Sequence, residues 1–206
     1  MKLITPSRIS RRLGGRFFFK AERDATPKSA EVRRPYPPGA QGKKSRRGSS
    51  EFGAELAEKQ KIRYLYGLSD SALKRYVRMS QRTKAKTQVL SELLERRLDN
   101  VVFRLGLALS RRIARQVVSH GHIAVNGRTV RIASSLVASG DRISVREASR
   151  GLALFSGLPL RLKKHQAPDW LLITSTDGSG EVKRMPREED NPTPHNVSKV
   201  IEYYSR

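Results

Sequence analysis

The chain has 206 residues and a formal net charge of +23, from 42 Lys and Arg against 19 Asp and Glu. A folded protein this basic repels itself unless a polyanion compensates, so nucleic acid is the leading partner and an anionic membrane surface the runner-up. Cysteine is absent, which excludes a disulfide framework and a thiolate metal centre. No segment approaches the roughly 18 consecutive apolar residues of a membrane span, and the chain reads as soluble and intracellular.

Residues 1–50 carry 14 Lys or Arg and three acids, interrupted by Pro and Gly, most densely in RRPYPPGAQG at 33–42. Such a segment buries little apolar surface and is expected to be irregular by itself. Helical pattern begins near Glu51 and stops at Gly67. Ser69 or Asp70 caps a second helix, in which Leu73, Tyr76, Val77 and Ser80 share a face. RTKAKT at 82–87 reads as a connector. From Thr87 as cap, Val89, Leu90, Leu93, Leu94, Arg97, Leu98, Val101, Val102 and Leu105 follow one continuous helical period to Gly106.

Ser110 caps a short helix ending at Gly121. Its apolar face is Ile113, Ala114, Val117 and Val118, and Arg111, Arg112, Arg115, Gln116 and Ser119 fall opposite. Past Gly121 the period changes to two. His122–Val125 and Arg128–Val130 flank Asn126-Gly127, a pair suited to a type I′ hairpin because both positions need positive φ. A strand is expected over RISVRE after the Gly140-Asp141 turn, with further strands at WLLIT (170–174) and EVKRM (181–185) joined through 177–180. Pro192 and Pro194 bracket a linker, and Asn196 caps a final helix, VSKVIEYYS.

The sharpest motif is the arginine face of helix 111–120. A charge run is usually a solvated exterior, but no Asp or Glu occurs between Asp99 and Asp141 to pair with it. An external anion is the natural compensator, and a guanidinium fork matches phosphate. His120, His122 and Arg128 flank the hairpin and make Asn126 a further candidate contact. His120 and His122 lack nearby acids or thiols, so no metal and no cofactor is expected. Neither a P-loop nor a nucleophile elbow is present. The acids Glu188, Glu189 and Asp190 lie in a Pro-flanked polar stretch and read as solvated. Many arginines with only 6% aromatics favour recognition of folded RNA by shape and backbone over stacking on single strands.

RLDNVVFRLGLALSRRIARQVVSHGHIAVNGR closely resembles the segment characteristic of the small-subunit ribosomal protein S4 family, whose RNA-binding module recurs in pseudouridine synthases and tyrosyl-tRNA synthetases. RRPYPPGAQG, EKQKIRYLYGLSD at 58–70 and the ending NVSKVIEYYSR extend the resemblance to essentially the whole chain. It implies an α+β fold: an irregular basic arm (1–45), a helical domain (46–90 with 187–206), and an inserted helix-helix-hairpin RNA-binding domain with a small, mostly antiparallel sheet (91–186).

It further implies a non-enzymatic constituent of the small ribosomal subunit. Such a protein binds rRNA early, nucleates assembly of the five-prime domain, lies beside proteins S5 and S3, lines the channel through which mRNA enters, and influences accuracy. It would be cytoplasmic and ribosome-bound, bacterial or organellar, and a monomer within the ribosome. Some members bind zinc through four arm cysteines; the matching positions here are Ser7, Ser10, Asp24 and Ser29, a poor zinc set. On this reading rRNA contacts come from Arg8, Arg11, Arg12, Arg33, Arg34, Arg46 and Arg47 of the arm, and from Lys59, Lys61, Arg63, Lys74, Arg75 and Arg78 of the helical domain. The inserted domain adds Arg97, Ser110, Arg111, Arg112, Arg115, Gln116, His120, His122, Asn126 and Arg128. The competing readings are an RNA-modifying enzyme that borrows the module and a stand-alone module that rescues stalled ribosomes.

Overall fold

Ser50 starts a helix because its extended backbone (φ −62°, ψ 159°) lets the hydroxyl accept from Gly53 N at 3.2 Å. This helix is seen in a computed structural model that describes residues 6–14, 30–43, 48, 50–175, 178–190 and 196–206. The chain forms two units, residues 1–79 with 195–206, and residues 80–194.

In the first unit, α1 (Pro6–Leu13) and α2 (Ala30–Arg33) precede α3 (Glu51–Leu65) and α4 (Asp70–Ser80), and α9 (Val197–Ser205) packs on α3. The arm, expected to be irregular, thus carries helix within its described part. The reason is local burial. Ile9 and Ser10 are enclosed, and Arg11 Nε donates to the carbonyls of Arg34 and Tyr36, both at 2.9 Å. Gly42 permits the turn after them, since a Cβ there would lie 1.9 Å from Pro37 O. At the end of α3, Gly67 takes φ +61° while Leu68 N donates to Arg63 O at 2.8 Å, a Schellman stop. Ser69 caps α4 through Ala72 N at 3.2 Å. Leu73, Tyr76, Val77 and Ser80 are all buried, as their helical spacing implies.

The second unit corrects one element. The helix expected to run unbroken from Thr87 to Leu105 is two, α5 (Lys86–Glu95) and α6 (Leu98–Arg104), and α5 starts after Ala85 with no side-chain cap. Between them Arg97 is extended and bridges Leu136. Segment 133–137 intrudes on the backbone: Leu98 N donates to Ser135 O at 2.8 Å, Asp99 N to Ala133 O at 3.1 Å, and Val137 N to Arg96 O at 3.0 Å. Apolar spacing cannot register such a break, because both halves still bury their Leu and Val.

Helix α7 (Arg111–Ser119) follows, capped by Ser110 Oγ from Ile113 N at 3.3 Å and stopped at Gly121 (φ +77°). Strands β1 (Ile123–Val125) and β2 (Arg128–Thr129) form the hairpin. Asn126 has φ +50° and Gly127 φ +79°, as a type I′ turn demands. With β3 (Arg142–Val145), β4 (Leu171–Ser175) and β5 (Ser179–Val182) they make a wholly antiparallel sheet in the order β2-β1-β3-β5-β4. Ser179 and Gly180, expected in a turn, are strand. A Cβ on Gly180 would meet Leu105 Cδ2 at 2.6 Å and Leu172 O at 2.9 Å, so the glycine marks close approach. Helix α8 (Leu158–Lys164) lies in a stretch for which sequence pattern suggests no element.

The core joins α6, α7 and the sheet: Leu98, Val101, Leu105, Ala114, Val117, Ile123, Ile143, Trp170 and Val182 are essentially inaccessible. The fold is α+β. Among the described residues no helix is long and apolar enough to cross a membrane.

Candidate nucleic-acid interface

Helix α7 turns Ala114, Val117 and Val118 into the core and leaves Arg112, Gln116 and Ser119 exposed. Arg111 and Arg115 are intermediate, and their compensation differs from the expectation. An acid missing from the helix itself is supplied to Arg115 by α6, and Arg111 meets a neutral amide there. Arg115 donates to Asp99 Oδ2 through Nε at 3.0 Å and Nη2 at 2.8 Å. Arg111 Nε donates to Asn100 Oδ1 at 2.7 Å, and its guanidinium lies 4.7 Å from the Phe103 ring centroid. Arg97 is 3% exposed and grips the same Asp99 at 3.0 and 2.7 Å, so it faces inward rather than towards a ligand. Ser110, 1% exposed, is the helix cap.

At the hairpin, Arg128 and His120 are exposed. His122 is half-buried, Nδ1 3.0 Å from Ser149 Oγ, with its ring edge-on to His120 and Phe155. Asn126 commits its amide locally: Nδ2 donates to Asp141 Oδ1 at 2.8 Å and Oδ1 accepts from Arg142 N at 2.9 Å. Its role is to lock the hairpin tip to β3. The acidic stretch is also structural in part. Asp190 accepts from Arg184 at 2.6 and 2.8 Å and from Arg187 N at 2.7 Å, so that residue is paired rather than simply solvated. The Arg184 hydrogen bond holds its carboxyl below the ordinary range against the opposing pull of burial.

In the first unit, Lys74, Arg75 and Arg78 are exposed along α4, and Arg8, Arg12, Arg33 and Arg34 are exposed on the arm. Arg11 is engaged by backbone carbonyls and by the Tyr36 ring at 5.0 Å. Lys59, 6% exposed, pairs with Asp70 at 2.6 Å and faces inward. Lys61 pairs with Glu58 at 2.7 Å, and Arg63 lies over Tyr64. Arg46 and Arg47 fall outside the described residues, as do Asp24 and Ser29 of the zinc-site positions. Ser7 and Ser10 offer only hydroxyls, which do not suit zinc. Among the described residues no group of three or more His, Asp or Glu is placed to hold a metal.

Three further arginines beside the hairpin, absent from the sequence-derived set, are exposed: Arg131, Arg142 and Arg146. Arg131 folds its side chain to 3.0 Å from where a Gly121 Cβ would stand, bringing it to the end of α7. Arg142 and Arg146 alternate with Ile143 and Val145 in sequence, a signal legible as a basic strand face.

Residues 96–143 match the family model described as the S4 domain, and residues 3–95 match that of the ribosomal protein S4/S9 N-terminal domain. The chain is 44% identical over 200 residues to the small ribosomal subunit protein uS4 of Thermus thermophilus, covering 97% of this chain and 96% of that protein. It is 46% identical over 203 residues to uS4 of Roseiflexus castenholzii, with 97% and 96% covered. To uS4 of Caldicellulosiruptor bescii it is 43% identical over 207 residues, with 100% and 99% covered. Matched along its whole length, with the capped arginine helix and the type I′ hairpin inside the S4 match, the chain belongs to the uS4 family of small ribosomal subunit proteins.

Proposed function

We propose that this uS4-family chain, a structural component and not an enzyme, binds small-subunit rRNA through folded-RNA phosphates. One observation carries the reading: α7 and the adjoining hairpin and strand set Arg111, Arg112, Arg115, Arg128 and Arg142 within one small unit of a chain of charge +23. Phosphate contacts position such a protein, and the shape of the RNA selects the site. The proposed set is narrower than the sequence-derived one: Arg11, Lys59, Arg97, Ser110 and Asn126 serve contacts within the protein, and Arg131, Arg142 and Arg146 join. Gln116, His120 and His122 remain at its edge. In the first unit the candidate phosphate contacts are Lys61, Arg63, Lys74, Arg75 and Arg78, with Arg8, Arg12, Arg33, Arg34, Arg46 and Arg47.

Family membership supports a finer reading. The chain binds early, nucleates the five-prime domain of the rRNA, lies beside S5 and S3, contributes to the channel through which mRNA enters, and bears on accuracy. It works as a ribosome-bound monomer in the translating compartment. Functionally, residues 91–186 form the inserted RNA module, with 1–45 as arm and 46–90 plus 187–206 as helical domain.

The test is affinity for a transcript of the rRNA five-prime domain as a function of salt. Counterion release predicts a steep negative slope, shallower by roughly one unit for each phosphate contact removed. A slope and affinity unaltered by Arg111→Ala with Arg115→Ala would remove α7 from the interface.

A further inference from the structure

Arg111 and Arg115 stand one helical turn apart, about 6 Å along the axis, and both lean on α6. Beneath Arg115, Asp99 is 4% exposed and is shared with Arg97, whose side chain is 3% exposed, while Arg115 itself is 38% exposed. Two guanidiniums on one enclosed carboxylate leave a net positive charge, and its accessible member is Arg115. Beneath Arg111, the acceptor is the amide of Asn100. That amide has one orientation only. Its Nδ2 donates to Glu95 O at 2.9 Å and to Glu95 Oε2 at 2.8 Å, which turns Oδ1 towards Arg111. Glu95 is anchored in turn by Arg104, Nε to Oε2 at 3.0 Å and Nη2 to Oε1 at 2.8 Å. Phe103 supports the Arg111 guanidinium face at 4.7 Å.

We propose that Asp99 and Asn100 are positioning residues that fix the guanidinium planes of Arg115 and Arg111 before RNA arrives. This rests on the RNA reading of α7. A long arginine side chain loses rotamer freedom when it grips a phosphate. Here that freedom is restricted on folding, so binding meets two guanidiniums already oriented, each held from one side by α6.

The test is a double-mutant cycle in the full chain against a transcript of the rRNA five-prime domain, with Asn100→Ala and Arg111→Ala. Asn100→Ala is preferred to Asp99→Asn because the latter strands the enclosed Arg97; thermal melts confirm that each variant is folded. Asn100→Ala is expected to weaken binding by about tenfold, as loss of a preset charge-assisted contact would. The salt slope should stay unchanged, because the charge remains. In the Arg111→Ala background the same change should cost nothing further. Equal loss with and without Arg111 would make Asn100 merely structural and overturn the proposal. If Arg111→Ala and Arg115→Ala leave affinity and slope untouched, the RNA reading of α7 fails instead. For Asp99, the Arg115 Nε–H in RNA-free protein should exchange slowly by NMR; a rapidly averaged signal would overturn its role.

Discussion

Lys59 Nζ lies 2.6 Å from Asp70 Oδ1, joining α3 to the first turn of α4 beneath the rings of Tyr203 and Tyr204, 4.5 and 5.3 Å away. Burial pulls the ammonium down, but the Asp70 hydrogen bond, the charge of Asp70 and, in the alkaline range where they ionise, the phenolates of Tyr204 and Tyr203 outweigh it, and its pKa is raised. The Lys59 hydrogen bond holds Asp70 below its ordinary range against burial, helped by the charges of Lys59 and Arg63. The depressed carboxyl contributes stability that is complete above the unfolded value of about 3.9 and is lost as pH falls through the lower folded value. The raised ammonium contributes below about 10.4, and that share is lost as pH rises through the higher folded value. The pair therefore supports the unit across the neutral range. Asp70→Asn should lower the melting temperature at pH 7 and flatten the acid limb below about pH 4. A variant with the wild-type pH profile would show that the pair contributes nothing.

Glu95 is 1% exposed and serves both Arg104 and Asn100. Removing one partner of an enclosed ion pair leaves the other charge uncompensated. Glu95→Ala should cost about 3–5 kcal/mol in urea unfolding. A loss below roughly 1 kcal/mol would mean that water readily replaces the carboxylate.

Asn126→Ala removes two side-chain hydrogen bonds and puts a poorly suited residue at φ +50°. The expected cost is about 1–3 kcal/mol of stability. Once folded, the variant should keep the wild-type salt slope for RNA, whereas Arg128→Ala should shallow it by roughly one unit. A roughly tenfold loss of RNA affinity by folded Asn126→Ala would return that residue to the interface.

Gly180→Ala must push the new methyl against Leu172 O at 2.9 Å and Leu105 at 2.6 Å. The backbone oxygen cannot step aside without moving β4, so about 1–3 kcal/mol of destabilisation is expected from denaturant midpoints. Gly151→Ala, where a Cβ meets nothing within 4 Å, serves as the control.

Features encoded within a few residues are legible in the sequence. Ser50 and Ser110 bear hydroxyls that can accept from a nearby N–H, Gly67 and Gly121 supply positive φ, and Asn126-Gly127 specifies its turn. The arginine face of α7 follows from periodicity. Features that depend on distant chain are not legible there. The break at Arg97 is made by residues 133–137, the helix at 6–13 is held by carbonyls at 34–37, and the acid for Arg115 arrives from Asp99 on another helix.

The basic character, the Ser110 and Asn196 caps, the hairpin and the family resemblance are legible in the chain alone, because charge and local backbone preference belong to individual residues; the cap expected at Thr87 is not there, since that helix begins after Ala85. Which arginines face inward is set by packing. Arg97, Arg111, Arg112 and Arg115 have the same chemistry, and they differ in whether packing places a carboxylate, an amide or open water at the guanidinium.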